Sequence, residues 1–194
     1  MKPLKALTSR TLVLDQDNID TDQIIPARFL TTTQREGLAR AAFADWRFDA
    51  EDRVRPDCAL NASNASQCQI LVAGDNFGCG SSREHAVWAL EQFGFRAVIS
   101  ARLADIFRAN ALKNGLLAIE LEPTVVAWLR QHPGVELAIR LDDCRVTLPD
   151  GSSHAFELDP FARTCLIEGV DALGYLLAKA PLIARHEASR AGAF

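Results

Sequence analysis

The segment Gly74-Asp75-Asn76-Phe77-Gly78-Cys79-Gly80-Ser81-Ser82-Arg83-Glu84-His85 gathers two hydroxyls, a guanidinium and three glycines within one short stretch. It lies between an apolar run that reads as a strand and an amphipathic run that reads as a helix. At such a junction backbone amides face outward and the helix dipole favours an anion. Glycines let a ligand approach the backbone, and an arginine can grip a carboxylate or phosphate through two parallel hydrogen bonds. The same residues also fit a structural reading, with Ser81-x-x-Glu84 as a capping box, Gly78 and Gly80 turning the chain and His85 packing; spacing alone does not separate the two. Nucleotide binding is disfavoured. Arg83 follows the serines where a P-loop needs a lysine before one, and the glycines do not follow G-x-G-x-x-G.

A second stretch, Asp15-Gln16-Asp17-Asn18-Ile19-Asp20-Thr21-Asp22-Gln23-Ile24-Ile25-Pro26, holds four aspartates in eight residues. Such density suits Ca²⁺ or Mg²⁺, but no glycine stands sixth and no glutamate twelfth, so the EF-hand pattern fails. Asp and Asn are turn formers, and on residue types alone a solvated turn is favoured.

The elements that must position these stretches are legible in the hydrophobic period. Residues 10–15 (RTLVLD) and 69–74 (QILVAG) read as buried strands, and Ala86, Val87, Leu90 and Phe93 recur at helical spacing until Gly94 stops the run. RAVISA, LADIFRANALKNG, LLAIEL and a helix opened by Glu122-Pro123-Thr124 repeat the rhythm, which predicts an α/β sheet. Beyond Pro133 the segments VELAIRL, CRVTL and SHAFEL, with a Pro149-Asp150-Gly151 turn, predict antiparallel strands. Helices are expected over about 160–166 and 170–179, long loops over about 31–66, and a weakly ordered tail over 181–194.

With 194 residues, 48% of them hydrophobic, the chain is expected to form a single domain, residues 1–194. A net charge of −4 with scattered arginines argues against a nucleic-acid surface. No apolar stretch approaches the roughly 18 residues of a membrane span and no signal-peptide core is present, so a cytoplasmic location is expected. Cys58, Cys68, Cys79, Cys144 and Cys165 include no CxxC pair; free thiols are expected, without the grouped ligands of a zinc or iron–sulfur site.

Four segments, DNIDTDQIIP, GDNFGCGSSREHA, SARLADIFRANALKNGLL and FELDPFARTCLIEGVDALGYLL, resemble the small-subunit family of bacterial isopropylmalate isomerases, or 3-isopropylmalate dehydratases. They run through nearly the whole chain in that family's order. G-x-G-S-S-R-E-H-A is the signature of the swivelling domain shared by aconitase-like hydro-lyases, and N-F-G-C-G followed by ADIF resembles the leucine-pathway branch more than aconitase itself.

The resemblance implies an α/β fold of three layers, a swivelling β/β/α domain with a C-terminal helical extension. It implies a hydro-lyase of leucine biosynthesis that interconverts 2- and 3-isopropylmalate through isopropylmaleate. This chain would bind no cofactor or metal, while a large subunit would hold a four-iron four-sulfur cluster and complete the site for a small hydroxy-dicarboxylate. Carried over by residue, Ser81 is the expected catalytic base, Asp22 would orient or assist a proton donor, with Asp20 a weaker candidate, and Ser82 and Arg83 would hold a substrate carboxylate. A substrate-binding loop arginine falls at Arg35 or, in another register, Arg28. Glu84 is expected to cap its helix. The stretch Phe29–Asp45, with Phe29, Leu30 and Leu38, is the expected source of side-chain specificity. Alternatives kept beside this reading are the small subunit of a homoaconitase or of a citraconate or maleate hydratase, an anion-binding module and an RNA-binding module. The isolated chain could also form a homo-oligomer.

Overall fold

A computed structural model describes residues 1–31 and 34–190, Arg190 without its side chain. Four strands pair in parallel: β1 (Ala6–Leu14), β2 (Cys68–Ala73), β3 (Ala97–Ser100) and β4 (Leu117–Glu120). β3 is buried throughout and β2 nearly so, as expected of parallel strands covered on both faces. The free edge of β1 pairs antiparallel with β5 (Glu136–Arg140), followed by β6 (Arg145–Thr147) and β7 (Ser153–Ala155). The resulting sheet has the order β4-β3-β2-β1-β5-β6-β7.

Because side chains alternate along a strand, one sheet feeds two cores. Leu71, Ala73, Val98 and Ala118 pack with Val87 and Leu90 of α3 (Glu84–Phe93) and with Phe107 and Ala111 of α4 (Asp105–Asn114). Their neighbours Ile70, Val72, Ile99 and Ile119 face the other way. They meet Val126 and Leu129 of α5 (Pro123–Gln131), Leu137, Ile139 and Val146 of the antiparallel strands, and Leu166 of α6 (Pro160–Glu168). The antiparallel half of the sheet thus curls over one face while α3 and α4 cover the other, giving the three-layer α/β arrangement the resemblance implied. Burying each such side chain contributes about 1.5–3 kcal/mol. A one-residue slip of any central strand would exchange its two faces and is excluded by both cores at once.

Among its described residues the stretch from 31 to 66 contributes no strand to the sheet. It is built of single turns, among them α2 (Ala44–Arg47), yet it is not merely loop: Leu38, Phe43, Phe48, Leu60 and Ala65 are buried. Leu38, expected among the specificity contacts, is a core residue at 5% exposure, and Phe29 and Leu30 pack partly buried against the same core. Thr32 and Thr33 lie outside the described residues.

The last helix, α7 (Ala172–Arg190), also departs from expectation, for it runs through Pro181 where the sequence predicts a stop near Lys179 and a weakly ordered tail. Pro181 removes the amide that would bond the Leu177 carbonyl, but this part of the helix is exposed and water can take the donor's place. Its apolar residues Leu173, Leu176, Leu177, Leu182 and Ile183 are exposed, so the helix buries no stripe that a periodicity search would favour. Residues 191–194 lie outside the described residues. Among the described residues no helix is long and apolar enough to cross a membrane.

Candidate functional site

In a parallel sheet ligands collect beyond the carboxyl ends of the strands, and the two chemically suggestive stretches leave adjacent strands, β1 and β2, at that end. Short backbone bonds join them: Asn18 N–H donates to Asp75 O at 2.8 Å, Gly78 N–H to Ile19 O at 2.7 Å and Thr21 N–H to Cys79 O at 2.9 Å. The side chains add Asp75 N–H to Asp17 Oδ1 at 2.8 Å and Thr21 Oγ1 to Ser81 O at 2.9 Å. Two segments about sixty positions apart therefore form one rigid edge.

Gly78 holds this edge against α4. Its φ is +78°, and a Cβ there would lie 2.3 Å from Phe107 Cγ, whose ring meets Phe77 edge-on at 5.2 Å. Gly78→Ala adds left-handed strain to overpacking and is expected to destabilise the fold by about 2–4 kcal/mol, read as the shift of a urea unfolding midpoint at constant slope.

The four aspartates are largely exposed, as a solvated turn would be, but they are partnered: Asp15 and Asp17 share one arginine, and Asp20 and Asp22 each have a partner of their own. Asp15 and Asp17 pair with Arg130 of α5, the latter at 3.2 Å, and the hydrogen bond that Arg130 Nε donates to Asp15 is first among the causes that raise the Arg130 pKa. Asp20 caps the single-turn helix α1 (Thr21–Ile24): its carboxylate accepts from Gln23 N–H at 2.8 Å while the Gln23 side chain accepts from Asp20 N–H, also at 2.8 Å. Asp22, one residue into that turn, reaches across to an ion pair with Arg83, whose side chain is only 18% exposed.

That pair brings the two segments' chemistry together, with Ser81 and Ser82 exposed immediately before Arg83. The capping box expected at Ser81-x-x-Glu84 does not form. Arg83 occupies the N-cap position of α3 with extended backbone and no side-chain cap, and the true capping box is at Asp20 and Gln23. Glu84 instead accepts from Lys113 Nζ on α4 at 2.7 Å, and this bond, ahead of smaller contributions from Asn114 and Arg35, holds its carboxyl below the usual range. His85 stacks obliquely on Trp88 at 4.6 Å.

The loop arginines are placed elsewhere. Arg35 Nη2 donates to Asn114 Oδ1 at 2.8 Å and its guanidinium lies over the Trp88 ring at 5.1 Å, while Trp88 Nε1 donates to the same oxygen at 2.9 Å. This sets Arg35 on the α3–α4 seam near Glu84. Arg28 pairs with Asp45 at 2.6 Å on the exposed surface. Among the described residues neither arginine hydrogen-bonds or ion-pairs with Asp22, Ser81, Ser82 or Arg83. Sequence reasoning missed Thr21, Asn114 and Arg130, since each acts on a partner distant in sequence; Thr21 and Asn114 lie inside quoted motif segments, but no local signal marks either as functional.

The arrangement can bind an anion and move a proton: two exposed serines immediately precede in the chain an arginine whose guanidinium is held by a carboxylate. The cysteines do not fit a cluster or zinc site, being free thiols dispersed over the chain, and among the described residues no group of three His, Cys, Asp or Glu side chains converges. Burial, followed by the nearby charge of Asp20, pushes the Cys79 thiol up, so near neutral pH it stays a thiol, donating towards Asn18 O at 3.5 Å.

Comparison with known proteins gives the family and the fold. Residues 1–124 match the aconitase C-terminal domain family. The chain is 56% identical to the 3-isopropylmalate dehydratase small subunit of Anaeromyxobacter dehalogenans strain 2CP-C, covering 98% of this chain and 100% of that one. It is 49% identical to the protein of the same name from Roseiflexus castenholzii, covering 97% and 95%. Among solved structures, 3-isopropylmalate dehydratase from Methanocaldococcus jannaschii superposes with a TM-score of 0.70 at 27% identity, over 93% of this chain and 99% of that one. By sequence over nearly its whole length and by fold, the chain belongs to the 3-isopropylmalate dehydratase small-subunit family, within the aconitase C-terminal domain fold.

Proposed function

We propose that this chain forms half of the active site of a 3-isopropylmalate dehydratase, completed by a large subunit, and that Ser81, Asp22, Ser82 and Arg83 are its working residues. In this reading the reaction runs in the cytoplasm as a step of leucine biosynthesis: water is lost from 2-isopropylmalate to give isopropylmaleate and added back to give 3-isopropylmalate. The observation that carries the reading is the open edge itself, with Ser81 and Ser82 exposed beside the Asp22–Arg83 pair. A serine alkoxide is stabilised only where dipoles and a cation surround it and water is excluded. The edge supplies the cation and the outward amides; a covering partner would exclude the water.

Arg83 turns from Asp22 towards a substrate carboxylate, or shares itself between the two, and fixes the neighbouring carbon. The Ser81 oxygen takes a proton from that carbon, and charge that spreads into the carboxylate is met by the same guanidinium. Ser82 donates to the carboxylate. Asp22 keeps Arg83 aimed and stands near enough to relay a proton to a departing oxygen. A four-iron four-sulfur cluster, if the reaction uses one, belongs on the large subunit in this reading, because the residues present here make no ligand set. Arg35, fixed by Asn114 and Trp88 near Glu84, would border the site as the loop arginine rather than Arg28.

The reading is checked by coexpressing the chain with the large subunit of its own organism and following isopropylmaleate formation. Turnover is expected only in the complex, and more efficiently with the isopropylmalates than with homocitrate or citramalate. Turnover by the isolated chain, or a complex that prefers one of the other hydroxy acids, overturns it.

A further inference from the structure

We infer that Thr21 is a positioning residue for Ser81, a role that rests on the reading just given. The backbone ladder between the two segments runs through Asn18, Ile19 and Thr21 on one side and Asp75, Gly78 and Cys79 on the other, and its last backbone rung is Thr21 N–H to Cys79 O at 2.9 Å. The next rung is made by a side chain: Thr21 Oγ1 donates to Ser81 O at 2.9 Å. One residue thus grips two carbonyls, at 79 and 81, on either side of the bend at Gly80.

The grip has a directional consequence. Across a trans peptide the carbonyl of one residue and the amide of the next point opposite ways. With the carbonyls of Cys79 and Ser81 drawn towards α1, the amides of Gly80 and Ser82 are turned to the far side. Among the described residues neither amide donates to a protein acceptor. Pinning the Ser81 peptide plane also fixes how that residue is rotated about the chain, and so where its hydroxyl starts. The segment between Cys79 and Ser81 would otherwise be loosely held, since Gly80 is exposed with φ +89° and α3 begins only at Glu84.

Thr21 is suited to this because it is rigid. It is 2% exposed, β-branched, and the first residue of a turn whose cap, Asp20, is doubly bonded to Gln23. A Cβ built on Gly80 would come within 3.6 Å of Thr21 Oγ1, so the chain passes close over the hydroxyl. The residue after it, Asp22, carries the ion pair to Arg83. The base and the substrate-holding arginine are therefore referenced to one turn of helix, and Thr21 is the connection to the base.

The test uses the two-subunit complex and three variants. Thr21→Val keeps the shape and removes the donor; it is expected to lower kcat about ten- to a hundredfold, as a small misplacement of a reacting group does, with KM changed less than threefold. Thr21→Ser keeps the donor and is expected to restore kcat to within about threefold of the parent. Ser81→Ala run alongside separates the two ideas. If it leaves turnover intact, the functional reading itself fails. If it abolishes turnover while Thr21→Val keeps kcat within twofold of the parent, the positioning role alone is refuted. A Thr21→Ser complex that stays tenfold or more below the parent also refutes it, because the donor would then be present without restoring turnover, and this arm, read against the parent, decides the matter even if the valine variant does not assemble.

Discussion

Alanine at Ser81, in the complex with the large subunit, is expected to lower kcat by about 10³-fold, the middle of the range for removal of a positioned proton-transfer group. Assembly and KM are expected to change little. The side chain is a small exposed hydroxyl whose loss leaves no buried cavity, and it is neither a helix cap nor a core residue. The structural reading of the same residue makes the opposite prediction. A capping serine would cost about 1 kcal/mol of stability on replacement and leave turnover alone. Steady-state kinetics beside urea unfolding of the same preparation separates them: unchanged kcat with a lowered midpoint sinks the catalytic assignment. Ser82→Ala is the useful control, since a neutral hydrogen bond to substrate is worth about 1 kcal/mol and predicts a several-fold rise in KM without collapse of kcat.

Replacing Arg83 with alanine is expected to reduce kcat/KM by about 10²–10³-fold, corresponding to the roughly 3–4 kcal/mol lost when a charged, hydrogen-bonded partner of a substrate carboxylate is removed. The stability cost is expected to stay under about 1 kcal/mol. The partner left behind, Asp22, is 55% exposed, so water solvates it once the guanidinium is gone. Arg83→Lys restores the charge without the two-pronged contact and should fall between parent and alanine, nearer to alanine if geometry rather than charge dominates. Rescue of the alanine variant by guanidine in the assay would support the assignment. A variant that unfolds more easily but retains kcat/KM would show that the ion pair with Asp22 is structural.

The two arginines of the early loop illustrate how far motif spacing reaches. Counting positions from the aspartate stretch points to Arg35 and leaves Arg28 as the fallback. The fold separates them by burying an acceptor, Asn114, at 4% exposure beneath Arg35, and by giving Arg28 a surface carboxylate and the neighbouring Phe29 ring. Nothing local to residues 28–35 encodes that difference, because Asn114 is the last residue of α4 and meets the loop only after the sheet has assembled.

The strand and helix alternation, the antiparallel strands after Pro133, the glycine-rich junction and the family signature are legible in the chain because each is written in propensities and patterns that act over a few residues. Tertiary structure alone decided which aspartate meets which cation, that Ser81 is released from capping while Asp20 takes that role, and that Thr21 reaches the Ser81 carbonyl. The physical reason is the parallel pairing of β1 with β2. Strands adjacent in the sheet but more than fifty residues apart in the chain place their outgoing loops side by side, and hydrogen bonds of 2.7–2.9 Å between those loops exist only once that pairing is made.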